Sequence, residues 1–242
     1  MKKYNVAIMG ATGAVGQEFL NLIEERGFPF AELRLLASSR SAGKKIEFMG
    51  KTYTVQETRA DSFEGIDIAL FAGGSASKTF APAAVKAGAV VIDNSSTFRM
   101  DPEVPLVVPE VNPEALQGHK GIIANPNCST IIMVMALKPL RDLAPIKRVV
   151  VSTYQAVSGG GKEAMVELEQ QVADIVADKP VTANILPGSS LKKHYQIAFN
   201  LIPQIDVFKE NLYTKEEMKM IDETRKILSE PDLRVTATTI RV

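Results

Sequence analysis

Tyr4-Asn5-Val6-Ala7-Ile8-Met9-Gly10-Ala11-Thr12-Gly13-Ala14-Val15-Gly16 reads as a buried strand, a glycine turn and the start of a helix. Gly10, Gly13 and Gly16 let the backbone turn tightly and come close to a pyrophosphate, which then rests on the helix N-terminus. Three glycines alone are a weak signal. Their place between the first strand and the first helix is the setting that makes them a dinucleotide-binding turn rather than an ordinary glycine-rich loop. The helix is expected over Ala14 to Arg26, with Val15, Phe19, Leu20 and Ile23 on one face and Gly27 as its stop.

Working outward, short apolar runs alternate with helical patterns. Strands are expected at Leu33 to Ala37, Ile66 to Ala72, Ala89 to Asp93 and Gly121 to Ala124, with a helix from Lys78 to Ala87. Such alternation implies a parallel sheet. The second strand ends in Ala37-Ser38-Ser39-Arg40-Ser41, without the acid that a NAD site places against the ribose hydroxyls. Arg40 and the hydroxyls beside it suit a 2′-phosphate, which favours NADP; a solvated surface arginine is the plainer alternative. The fold class is thus α/β, with a Rossmann-like NADP-binding domain over 1–127.

The character changes near residue 128. Lys147 to Gln155 is a β-run, a helix is expected from Lys162 to Val176, and residues 180–212 are irregular. Thr214 caps a helix to Leu228, and Arg234 to Val242 is a strand. This second region, 128–242, reads as a separate α+β domain, which the resemblance given below makes the substrate and dimerisation domain. Cys128, the only cysteine, follows Asn125-Pro126-Asn127 and precedes the apolar helical run Ile131 to Leu137. A thiol at a strand-to-helix turn sits near the positive end of a helix, which favours the thiolate that attacks carbonyl carbon. The commoner role of a lone cysteine is a small buried hydrophobe.

Other candidates are ambiguous on residues alone. Arg99, in Asp93-Asn94-Ser95-Ser96-Thr97-Phe98-Arg99, fits an anion site or a surface salt bridge equally well. Gln155 precedes a Ser158-Gly159-Gly160-Gly161 loop that a ligand or nothing at all explains. Glu216 and Lys219 read as an i,i+3 surface pair. His119 and His194 lie in no motif for a catalytic base, and no His/Cys spacing suits a metal. Lys+Arg 28 against Asp+Glu 28 gives zero net charge, which offers nothing to nucleic acid or an anionic membrane. One cysteine and the absence of a signal-peptide core in Met-Lys-Lys-Tyr-Asn-Val-Ala-Ile fit a cytoplasmic protein.

Taken together, GATGAVG from Gly10, SSTFRMD from Ser95, ANPNCST around Cys128, TYQAVSGGG from Thr153 and TKEEMK from Thr214 resemble the aspartate-β-semialdehyde dehydrogenase family, across the whole chain. The resemblance implies interconversion of L-aspartate 4-semialdehyde plus phosphate with 4-phospho-L-aspartate, using NADP, on the route to lysine, threonine and methionine. It implies that Cys128 forms a thioester, that Asn127 and helix-start N–H groups steady the oxyanion, and that Gln155 orients the acyl group. It assigns phosphate to Arg99 and Lys219, the substrate ammonium to Glu216 and its α-carboxylate to Arg241, so that Glu216 and Lys219 cease to be a bland pair. Gly10, Thr12, Gly13, Ala14, Val15, Gly16, Arg40 and Ser41 would hold NADP, with Ser158 and Gly159 beside the nicotinamide. A homodimer or homotetramer is implied.

Against that family the chain stops early, at Val242, before a histidine that serves as general acid/base and before further strands of the second domain. Loss of such a group costs about 10²- to 10⁴-fold in rate. The expectation is therefore a truncated chain, nearly inactive and poorly stable alone. Two alternatives remain at this stage: a non-catalytic nucleotide-binding paralogue, and a related acyl-phosphate reductase such as N-acetyl-glutamyl-phosphate reductase.

Overall fold

The computed structural model describes residues 2–242, which fall into two compact units, 2–126 and 127–242. Asn127 therefore goes with Cys128 rather than with the first unit.

The first unit contains β1 (Tyr4–Met9), α1 (Ala14–Glu25), β2 (Phe30–Ala37), β3 (Lys45–Phe48), β4 (Lys51–Thr54), β5 (Gln56–Glu57), β6 (Ile68–Phe71), α2 (Ala76–Lys86), β7 (Val90–Asp93) and β8 (Ile122–Ala124). Six strands form one sheet in the order β5-β2-β1-β6-β7-β8, with every pairing parallel. The alternation of side chains along a strand builds two cores from β1. Val6 and Ile8 pack with Leu20 and Ile23 of α1, while Ala7 and Met9 pack with Ala81 and Ala84 of α2. A strand covered on both faces needs apolar residues at every position, which is why Val6 to Met9 reads as a continuous run. The chain leaves β1 toward β2 and later returns to the other side of β1 as β6. The carboxyl end of β1 is thus the switch point of the sheet, where α/β folds bind ligands.

Several boundaries differ from the sequence reading. Val15 is 41% exposed, so the buried face of α1 is Gly16, Leu20 and Ile23; within the first turn only Gly16 packs, while Ala14 and Val15 are exposed. The strand β2 begins at Phe30, and β3 and β4 form an antiparallel hairpin that the sequence reading omits. The hairpin turns on Met49 and Gly50, both with positive φ, the geometry of a two-residue turn matched to strand twist. Pro82 lies inside α2 without ending it.

The second unit contains α3 (Cys128–Leu143), β9 (Arg148–Gln155), α4 (Lys162–Val176), α5 (Lys215–Leu228) and β10 (Arg234–Arg241). The helix α3 starts three residues earlier than its apolar run, because Asn127 caps it: Oδ1 accepts the N–H groups of Ser129 and Thr130 at 3.0 and 3.2 Å. The strands β9 and β10 pair in parallel, and their register sets Gln155 opposite Arg241. Val157, Ala164, Leu186, Ile197 and Ile202 form the local core. Thr214 and Glu217 close a reciprocal capping box at the start of α5. Among the described residues no helix is long and apolar enough to cross a membrane.

Candidate active site

In the first unit the glycine turn is built by close approach. A Cβ on Gly16 would lie 2.2 Å from the Gly10 carbonyl oxygen, and one on Gly10 would lie 2.8 Å from that of Ala72. Gly10 also has φ +88, a conformation only glycine adopts cheaply. These two glycines pull α1 against the end of β1, while Gly13, Ala14 and Val15 face outward. Gly13 stands at the N-cap position of α1 and no side chain caps it. The first N–H groups of the helix are left for a ligand, the arrangement that suits a pyrophosphate. Gly10 and Ala11 donate to the carbonyl of Leu36 on β2, which keeps this turn beside the short helix Ser39–Ser41 that carries Arg40 and Ser41. Arg40 is exposed and makes no ion pair among the described residues. Thr12 is half-buried at the same turn. The donor set and the glycine cradle fit a dinucleotide.

Arg99 belongs to the same unit and is not a surface residue; it is 7% exposed. Its Nε donates to the Asn125 carbonyl at 2.9 Å and its Nη2 to that of Asn94 at 3.0 Å. The loop that carries it is anchored by Asp93, which is fully buried and accepts from the hydroxyls of Ser77 and Ser95, each at 2.7 Å.

In the second unit Cys128 is the first residue of α3 and is exposed. Its own N–H has no acceptor among the described residues. The Asn127 side chain is held in place rather than loose: its Oδ1 caps α3, and one N–H of its Nδ2 donates to Glu216 Oε1 at 2.8 Å. Among main-chain donors, the helix-start group left for an oxyanion is the N–H of Cys128.

Glu216 gathers the site. It is 5% exposed and accepts from Asn127, from Gln155 Nε2 at 3.2 Å and from Lys219 Nζ at 2.9 Å. Burial alone would raise its carboxyl. The charge and hydrogen bond of Lys219, with the amides of Asn127 and Gln155, outweigh burial and hold it below the usual carboxylate range. The surface-pair reading of Glu216 and Lys219 thus fails on burial: one turn of α5 brings a protected carboxylate to three other predicted site residues.

Arg241, the register partner of Gln155, is 4% exposed. Its Nη1 donates to the Ala156 carbonyl at 2.6 Å, while its Nε is buried without a partner. Burial lowers the guanidinium from its ordinary value, against the opposing pull of Glu216 and Cys128. It remains a cation, and its free Nε faces no acceptor, which suits an incoming carboxylate. Gly159 makes room for it: a Cβ there would lie 2.7 Å from Nη1. Ser158 lies in the same short helical turn, Val157–Gly160.

Sequence reasoning missed Glu217 and Glu223. Glu217 Oε1 accepts the Thr239 N–H of β10 at 3.1 Å, and Glu223 Oε2 accepts the Asn127 N–H at 2.7 Å. The signal was available as spacing: Glu216 and Glu223 are seven apart, so they share a helix face with buried Met220 and Ile227.

Comparison with known proteins gives a consistent answer. The model for the semialdehyde dehydrogenase NAD-binding domain matches residues 5–119, and that for the semialdehyde dehydrogenase dimerisation domain matches residues 137–242. The chain is 58% identical over 239 residues to aspartate-semialdehyde dehydrogenase of Bacillus subtilis, covering 98% of this chain and 69% of that one. Aspartate semialdehyde dehydrogenase II of Vibrio cholerae, also solved complexed with ASA, superposes with a TM-score of 0.92 at 51% identity, over 100% of this chain and 71% of that one. The Candida albicans enzyme with NADP gives 0.71 at 27% identity, over 100% of this chain and 68% of that one. The chain therefore belongs to the aspartate-semialdehyde dehydrogenase family, oxidoreductases whose members use a nicotinamide dinucleotide.

Proposed function

We propose that this protein reduces 4-phospho-L-aspartate to L-aspartate 4-semialdehyde and phosphate, reversibly and with a preference for NADP, through a thioester on Cys128. The observation that carries this reading is the environment of the thiol. Cys128 is exposed at the first position of α3, its own N–H is unspent, and the carboxylate of Glu216 holds Asn127, Gln155 and Lys219 in one cluster.

The Cys128 thiolate attacks the acyl-phosphate carbon; the new C–S bond forms, the C–O bond to phosphate breaks, and phosphate leaves with its electron pair. The developing oxyanion meets the N–H of Cys128, a fixed donor at the positive end of a helix. Gln155, tied at its amide nitrogen to Glu216, keeps the acyl group turned with its face toward the thiolate. A bound nicotinamide dinucleotide would supply a hydride to the thioester carbon. The resulting tetrahedral oxyanion collapses by re-forming its C=O bond and breaking the C–S bond, which releases the aldehyde and returns the Cys128 thiolate. Arg241 takes the α-carboxylate and Glu216 the ammonium, so the substrate bridges two buried groups of opposite charge. Lys219 and Arg99 receive the phosphate.

The uncapped N–H groups at Ala14 and Val15 hold the pyrophosphate, with Gly10, Gly13 and Gly16 allowing its approach and Thr12 lining the turn. Arg40 and Ser41 meet the 2′-phosphate. Ser158 and Gly159 flank the nicotinamide. The product belongs to the route toward lysine, threonine and methionine, and the assembled protein is a homodimer or homotetramer. Incubation with L-aspartate 4-semialdehyde, phosphate and NADP is expected to yield NADPH, with NAD a poorer acceptor; ready turnover would overturn the expectation that the chain alone is nearly inactive. The thioester is expected as a mass-tagged Cys128 peptide when phosphate is withheld. Undiminished NADPH formation by Cys128→Ser would rule out the thioester.

A further inference from the structure

The buried carboxylate of Glu223 is not used by the reaction as described. It is 1% exposed and lies two turns beyond Glu216 on the same face of α5. Its Oε2 accepts the main-chain N–H of Asn127 at 2.7 Å, while Glu216 Oε1 accepts the side-chain amide of the same residue at 2.8 Å. One helix therefore grips Asn127 by both of its N–H functions, 96 and 89 residues away in sequence. Asn127 in turn caps α3 through Oδ1 and directly precedes Cys128. Its backbone dihedrals, φ −61 and ψ 143, set the direction in which the Cys128 N–H and Cα–Cβ bonds leave the turn.

We propose that Glu223 is a positioning residue for the Cys128 nucleophile, acting through the main chain of Asn127; this rests on the role of Cys128 given above. Electrostatics alone argues against a carboxylate here. An anion near the helix start opposes formation of a thiolate, so a group chosen for its charge would be neutral or cationic. Geometry argues for it. A carboxylate is acceptor-only, so it presents no competing donor to the Asn127 N–H, and a charge-assisted bond is short and strong. Holding that N–H fixes the turn, keeps the cap engaged, and leaves the Cys128 N–H as the unspent main-chain donor at the helix start.

The test reads the thiol directly, on the whole chain. Cys128 is the only cysteine, so its alkylation by iodoacetamide is followed by mass spectrometry near neutral pH and at strongly alkaline pH; the ratio of the two rates reports the ionised fraction. Glu223→Ala frees the Asn127 N–H and loosens the cap, and the ratio is expected to fall about 3- to 10-fold. Glu223→Asp keeps the charge but shortens the reach, and is expected to lose as much. Glu223→Gln keeps reach and an acceptor oxygen, and is expected to stay within about 2-fold of the parent protein. If the carboxylate acted by its charge, Ala and Gln would raise the ratio and Asp would preserve it. If Glu223 only filled the interior, melting temperatures would move and the ratios of the folded variants would not. Either result overturns the proposal. A parent protein whose thiol reacts like free cysteine would instead overturn the nucleophile reading itself.

Discussion

Gly159→Ala isolates what Arg241 does. The backbone at Gly159 is outside the positive-φ region, so alanine fits the chain path without strain. The added Cβ would sit 2.7 Å from Nη1, 3.4 Å from Nη2 and 3.5 Å from Cζ of Arg241. Comfortable contact begins near 3.5 Å, so the guanidinium must retreat by about 0.8 Å. The colliding atoms end a flexible side chain, which makes movement of Arg241 easier than movement of the backbone. Yet Nη1 is bonded to the Ala156 carbonyl at 2.6 Å and the residue is 4% exposed. A retreat of that size along the bond lengthens it to about 3.4 Å, past the usual 2.7–3.2 Å of an N–H···O bond and so weaker. A hydrogen bond to a charged group is worth about 1.5–3 kcal/mol, and a fork displaced by this much meets a carboxylate through one contact instead of two. The expected outcome is a native-like fold and an affinity for L-aspartate 4-semialdehyde reduced roughly 10- to 100-fold, since each 1.4 kcal/mol is tenfold. Calorimetric titration in a Cys128→Ala background measures binding without chemistry. Affinity equal to that background, with Gly159→Ala folded, would refute the claim that Arg241 is seated by the missing Cβ to receive the substrate.

Three further outcomes are expected. Gly16→Ala sets a Cβ 2.2 Å from a backbone oxygen and should destabilise the first unit by about 1–2 kcal/mol in urea unfolding, overpacking exceeding the gain in helix propensity; Gly13→Ala, whose nearest neighbour is at 3.4 Å, should stay within about 0.5 kcal/mol. Arg40→Ala should weaken NADPH binding roughly 10-fold or more while leaving NADH unchanged, as read by fluorescence titration. Glu216 holds its proton less tightly folded than unfolded, so its contribution is complete above about pH 4.3 and is lost as pH falls through the lower folded value; Glu216→Gln should flatten the acid limb of a stability–pH curve, and an unchanged limb would assign acid unfolding to other carboxylates.

The sheet was legible in the sequence because its strands are buried on both faces and read as uninterrupted apolar runs. The β3–β4 hairpin was not, because Met49-Gly50 lacks the Asn or Asp that usually marks a two-residue turn. The start of α3 escaped for a related reason: its first turn is Cys-Ser-Thr, and only the capping role of Asn127 reveals it as helix. Cys128 stood out by being alone, and Arg241 and Gln155 were found through motif likeness, but their pairing across β9 and β10 is a fact of register. The buried carboxylates of α5 ran against the strongest prior in sequence reading, that glutamates on helices face water. The seven-residue spacing of Glu216 and Glu223 marks a shared helix face, but the partners that bury them lie up to 96 residues away, and spacing does not say which element that face meets.

That span has a consequence for the protein as it is made. The thiol is synthesised at position 128, but the carboxylates that hold its turn arrive at positions 216 and 223. At ribosomal speeds of about 5–20 residues per second, the cysteine waits roughly 5–20 s before its anchor can exist. During that interval nothing in α5 holds its helix start. The nascent chain can thus be complete through its first unit while the turn before Cys128 still lacks its anchors, so reactivity of the thiol becomes a marker for the late docking of α5.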